Sequence, residues 1–290
     1  ADAPRPVSGL VLHGGVPPAV VEHDVVGAGE VEARAAGLQR EDEGAADEAS
    51  FVLGPALLGL VVVLASPELA LLIAAAILLV FGCAFALHPT ARLTHAHRPD
   101  AAATGRLVTG TFAILLVAQL LIGVVFGSIQ TGTTVLTTDA GQSGLAGLLH
   151  ACLGVGSVIA GLAVAALPAR FGYGSRVLVA ALGLALLSLP LLVTDTVPQL
   201  FAVVLVLGFV VAPYMISVFM LGERAAPVER VGAAMTLLAG ATGLGYALGS
   251  ATAGRLADMH GHPGAFAVTV GAAVTAAALA TASQPALRRV

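Results

Sequence analysis

Lysine is absent from this 290-residue chain, and charged residues of every kind make up only 10% of it. Soluble globular domains carry about 25% charge, so a water-facing surface cannot be built from this composition. The cationic role falls wholly on arginine, no basic run is present, and nucleic acid is not an expected partner. Cysteine is nearly as scarce. Cys83 and Cys152 lie singly in separate apolar stretches, which gives neither a disulfide framework nor a zinc spacing. The HExxH, GxSxG and GxxxxGK patterns are missing, as is any carboxylate pair inside an apolar run. An enzyme would therefore have no nucleophile or metal set to work with, and no cofactor or metal is expected. The pairs His95/His97 and His260/His262 lack further ligands nearby and read as solvated loop histidines.

What the chain does have is apolar length. Hydrophobic residues make up 58% of it, and mean hydropathy is +0.96. A bilayer crossing needs roughly 20 apolar residues, and eight runs approach that length: 47–65, 69–87, 107–128 with an extension toward 137, 144–167, 177–194, 199–221, 231–253 and 264–283. Buried helices of a soluble protein would need polar outer faces, which these runs lack. The fold class expected is all-α, a polytopic membrane protein with eight transmembrane helices and the lipid bilayer as its solvent. Residues 1–46 hold no run of spanning length and no regular period, so they are expected to be disordered or aberrant. Ten of the seventeen acids fall within residues 1–50, which gives that stretch a net charge of −7 and leaves +3 for the rest.

The one long hydrophilic break after residue 51 is the stretch 88–106, and it divides the runs into two before and six after. Arginine in short loops marks the cytoplasmic side. With eight crossings, Arg92, Arg98, Arg106, Arg170, Arg176, Arg224, Arg230, Arg288 and Arg289 share one side, and Arg255 alone lies near the other. The loop 88–106 and the C-terminus are therefore expected in the cytoplasm, in a cell membrane.

Three stretches carry a family resemblance. The first run contains Gly54-Pro55 followed by Gly59, the loop 169–176 reads ARFGYGSR, and 243–258 reads GLGYALGSATAGRLAD. Together they resemble helix five, the gating loop and helix eleven of the major facilitator superfamily. Gly54-Pro55 and Gly59 match part of an antiporter motif, with Ser50 and Leu58 in place of its glycines. Arg170, Gly172 and Arg176 match the gating loop, with Ala169 where an Asp is usual. The resemblance spans about 43–285 and implies helices five to twelve of a twelve-helix permease. In domain terms it implies the last two helices of a truncated N-terminal bundle at 47–87, a central loop at 88–106 and a complete C-terminal six-helix bundle at 107–285.

Helical geometry then nominates residues. Gln119, Gly123, Phe126 and Gln130 share a stripe of the third run, where an amide in lipid needs a protein or water partner. Gly147, Gly154 and Gly161 recur every seven residues as a packing seam, with His150 to one side. His150 is the one ionisable group well inside a run. It is either a transport residue or a histidine satisfied by a neighbouring carbonyl. Tyr214 lies beside Pro213 and Ser217, and Tyr246 lies near Thr242 and Gly249. The substrate-pathway candidates are thus Gln119, Gln130, His150, Tyr214 and Tyr246. The gating or helix-packing candidates are Gly54, Pro55, Arg170, Arg176, Gly245 and Gly249. The function expected from the resemblance is secondary transport, with efflux of a small organic solute, coupled or not to protons, by alternating access. A truncated, non-transporting remnant or an integral membrane scaffold is the alternative.

Overall fold

The computed structural model describes residues 57, 60–61, 64–89, 107–165 and 171–289, and among them every regular element is helical. The chain divides into two units, 1–47 and 48–290, of which the first lies outside the described residues. Helix α1 (Pro67–Leu87) begins at Ser66, whose hydroxyl accepts from the Leu69 N–H at 3.2 Å, with Pro67 in the first turn. Helix α2 (Gly110–Asp139) is capped the same way by Thr109 on Phe112, and α5 (Val197–Ala225) by Thr196 on Gln199. Between them lie α3 (Leu145–Ala165) and α4 (Tyr173–Ser188), the latter prolonged by a 3-10 turn, Leu189–Val193. A 52-residue helical run, α6 (Val231–Ala282), and the short α7 (Gln284–Leu287) complete the described chain.

At about 1.5 Å per residue, α6 as one rod would measure roughly 78 Å, more than twice a hydrocarbon core of about 30 Å. It is not one rod. Before Gly261 it runs parallel to α2, since Gly123 lies against Thr242 and Gly127 against Tyr246 and Ser250, with both numbers rising together. After Gly261 it runs antiparallel, since Thr269 bonds Ser128 while Phe266 lies on Gly132. The reversal sits at Gly261, whose φ of 67° and ψ of −163° no side chain would tolerate well. The two arms, 231–260 and 262–282, join α2 to α5 in a bundle of six helical arms.

Two parallel pairs organise that bundle. Between α2 and the first arm of α6, Gly123 and Gly127 face Gly245 and Gly249. A methyl on any of the four would strike backbone of the other helix, at Thr242, Tyr246, Leu120 or Val124 respectively. Small residues four apart let helix backbones approach in lipid, where no hydrophobic force drives them together. Between α3 and α5, Gly156 and Gly208 face each other in the same way, with Cys152 reaching the Phe201 carbonyl one turn away. Helix α4 lies against α5 and α6.

The interior holds Phe112, Leu115, Ile122, Leu184, Leu207, Leu221 and Phe266 at 1% exposure or less. The outside is equally apolar, with Val179, Leu186 and Leu248 exposed, as a lipid-facing surface requires. Helix α1 is exposed on nearly every face, with Ala70 its one buried residue among those described. It makes no extended contact with another described helix.

Six helices among the described residues are long and apolar enough to cross a membrane. The expected count of eight crossings is not established, because the first expected run, 47–65, lies mainly outside the described residues. The later runs appear as helices, and α2, α5 and the first arm of α6 outlast their apolar stretches. Helix α2 continues to Asp139 because Thr131, Thr134 and Thr137 return their hydroxyls to carbonyls four residues back, which satisfies polar groups without breaking the helix.

The glycine pairing makes a controlled expectation. Gly245→Ala places a methyl on the Leu120 carbonyl, and no rotamer relieves that contact. It should cost about 1–3 kcal/mol, seen as a lower thermal midpoint in detergent. Gly243→Ala, two residues earlier and meeting nothing within 4 Å, should be neutral or stabilising by about 0.5–1 kcal/mol. Equal melting of the two variants contradicts the packing.

Candidate functional site

A helical bundle in lipid must satisfy its polar side chains internally, so the hydrogen bonds of buried polar groups mark where the bundle is built and where it is incomplete. Most are short returns to the same helix. Five of those described cross between helices, among them the Cys152 thiol to the Phe201 carbonyl and Gln284 Nε2 to the Gly174 carbonyl at 2.8 Å. Tyr246 donates to the Gln130 Oε1 across the glycine-packed pair, where the close backbones bring the phenol within reach of the amide. Tyr246 is 40% exposed and Gln130 half-buried, so this bonded pair opens on the bundle surface. Tyr214 is almost wholly buried and donates from its phenol to the Ala118 carbonyl at 3.0 Å. Ser128 and Thr269 pair hydroxyl to hydroxyl at 2.8 Å, which ties α2 to the second arm of α6.

Thr133 Oγ1 and His262 Nε2 are buried without a hydrogen-bond partner, but Gln119 leaves two polar atoms unpaired. It is fully buried, and neither its amide nitrogen nor its carbonyl oxygen has a hydrogen-bond partner. Leaving such a group unpaired costs about 1–3 kcal/mol, so the site is polar without being satisfied. Gln119 lies beside Ala118, the acceptor of Tyr214, and eleven residues from Gln130. That separation is roughly 16 Å along one face of α2. The α2 candidates therefore occupy two tiers, Gln119 with Tyr214 inside the core and Gln130 with Tyr246 at its edge. They are not drawn into one cluster. His150 is part-buried on α3, on the other helix pair, and has no hydrogen-bond partner among the described residues.

Gly245 and Gly249 take part in the tightest packing described above. Arg176 stacks over the Tyr173 ring, 5.1 Å from its centroid, and its Nε donates to the Phe171 carbonyl at 2.8 Å. Gly54, Pro55 and Arg170 lie outside the described residues. No His, Cys, Asp or Glu group among the described residues is arranged to hold a metal. Two features escaped the sequence. The Ser128–Thr269 bond links residues too far apart in the chain to be paired by eye, and each apolar run offers several hydroxyls. The α3 seam passes through Gly156, whereas Gly161 meets Ala212 only at an ordinary 3.5 Å.

The ends of the arms differ in charge. Asp139, Asp195 and Asp258 lie at one end with Arg255. There His262 Nε2 stands 3.6 Å from Asp195 Oδ1, and a cleft of about 570 Å³ opens between Gln142, Asp195 and Phe201. Arg176, Arg224, Arg230, Arg288 and Arg289 occupy the opposite end.

The sequence profile of the Major Facilitator Superfamily matches residues 115–289, more than half of the chain and all but the start of the six-arm bundle. The chain belongs to that superfamily, a family of membrane transporters, and is a multi-pass membrane protein. No curated protein matches the chain.

The unpaired amide yields two linked expectations. Gln119→Leu, near in volume and apolar, should raise the unfolding midpoint in detergent by removing a penalty of about 1–3 kcal/mol. Tyr214→Phe removes one bonded hydroxyl and should lower stability by about 0.5–1.5 kcal/mol. Opposite signs for the two variants are the result to look for in side-by-side thermal unfolding.

Proposed function

We propose that this chain moves a small organic solute across the cell membrane as a secondary transporter, working by alternating access in the direction of efflux. Membership of the superfamily is the observation that carries this reading. The bundle adds support. Polar side chains occur on the two parallel pairs, Gln119, Gln130 and Tyr246 on one and His150 and Tyr214 on the other, whereas beyond Glu68 in its first turn and Cys83 the exposed surface of α1 is hydrocarbon. Transporters of this kind place substrate near the midplane between helical repeats. Gln130 and Tyr246, half-open at the bundle surface, are the groups suited to hydrogen-bond a neutral or weakly polar solute. Gln119 is a polar group that a second arrangement of the helices would satisfy. The arginine-bearing end is the cytoplasmic one, with the central loop 88–106 on the same side.

Coupling to protons falls to His150. Among the described residues the acids sit at helix ends, and His150 is the group inside an arm whose unperturbed charge change lies between about pH 5 and 8. A second reading, an integral scaffold that transports nothing, draws on α1, whose uncovered surface would equally suit a protein partner.

The assay is flux of a solute panel into or out of proteoliposomes at pH values from about 5 to 8. Transport above empty liposomes supports the first reading, and a folded protein with none supports the scaffold. Where flux is seen, His150→Gln should flatten its pH dependence, and an unchanged profile removes His150 from the coupling step.

A further inference from the structure

At the arginine-bearing end, two guanidinium groups from different helices share one aromatic ring. The Arg176 guanidinium, from the first turn of α4, lies 5.1 Å from the Tyr173 centroid, and that of Arg224, from the last turn of α5, lies 4.6 Å from it. Each contact is favourable alone, since a cation within about 6 Å of an aromatic face is attracted to it. Together they hold two like charges within about 10 Å of one another, and Arg224 has no acidic partner among the described residues. A ring that fixes two cations side by side is an arrangement that an anion completes. Nearby backbone adds to the field: Gly172 starts α4 without a side-chain cap, which leaves the first amides of that helix facing the same end.

The shoulders of this cluster are greasy. Phe171 is 47% exposed and Val228 is 87% exposed, one beside Tyr173 and the other beyond the end of α5. A soluble anion has no use for exposed phenyl and isopropyl groups, whereas a lipid brings acyl chains to the same place. Guanidinium is also the group best matched to phosphate oxygens. We propose that Tyr173, Arg176 and Arg224 form a docking site for the phosphate headgroup of an anionic phospholipid, with Phe171 and Val228 against its chains. The bound lipid bridges α4 to α5, and so bears on two of the six arms at the end where they converge.

The test uses the full chain, purified in neutral detergent, with unfolding temperature followed as phosphatidylglycerol, phosphatidylcholine or inorganic phosphate is titrated in. Phosphatidylglycerol should stabilise saturably at concentrations where phosphatidylcholine does not. Arg224→Gln should need about fivefold more lipid for the same effect, from the loss of one basic contact. Arg224→Lys should fall between the two, and Arg255→Gln, at the opposite end, should titrate as wild type. Equal stabilisation by both lipids overturns the proposal, as does an Arg224→Gln titration identical to wild type. Stabilisation by inorganic phosphate alone overturns the lipid assignment. If Arg224→Gln does not fold, native mass spectrometry of the wild-type protein decides. Preferential retention of phosphatidylglycerol that Tyr173→Leu abolishes supports the site, and indifferent retention refutes it.

Discussion

The close approach of α2 to the first arm of α6 is the constraint on which the remainder depends. Lipid offers helices no hydrophobic reason to associate, so two backbones come together only where side chains are small enough to let dispersion and polar contacts act at short range. Gly123 and Gly127 meet Gly245 and Gly249 reciprocally, each filling space that a methyl would occupy. The reversal at Gly261 follows naturally, because the second arm must return along α2 on its other side, where Gly132 makes room for Phe266. Ser128 and Thr269 then close the three-helix contact with a bond buried in the core.

Polarity inside the bundle is sparse, and its placement is informative. Tyr214 and the Ser128–Thr269 pair are sealed and satisfied, which is what structural polar groups require. Gln130 and Tyr246 are bonded to each other yet reachable from the surface, and Gln119 is sealed but unpaired.

Much of this was legible in the sequence, for a physical reason. Apolar runs of membrane length report directly on transfer to lipid, so the arms from Gly110 onward are found where hydropathy places them, and the HGHPG break marks the reversal that Gly261 makes. Family membership was legible too, since the motif at 243–258 falls within the matched region. Contacts were less so. A seven-residue glycine spacing pointed to Gly147, Gly154 and Gly161; of these Gly161 meets Ala212 at an ordinary distance, and close backbone approach between α3 and α5 occurs at Gly156 and Gly208, which that spacing does not include. The face a helix presents is chosen by its partner, and one strand of sequence does not name the partner. Gln119 and Gln130 share a face as their spacing requires, yet only packing decides that one is enclosed and the other open.

The reversal within 231–282 is the feature whose failure would undo the most, because the six-arm bundle and the segregation of arginine from aspartate both follow from it. Single cysteines at Asp139, Asp195, Asp258, Arg176 and Arg288, in a chain with Cys83 and Cys152 replaced, can be labelled with a membrane-impermeant maleimide in sealed vesicles of known sidedness. Positions 139, 195 and 258 should react from one side and positions 176 and 288 from the other. Labelling of positions 258 and 288 from the same side would contradict the reversal and the bundle built upon it.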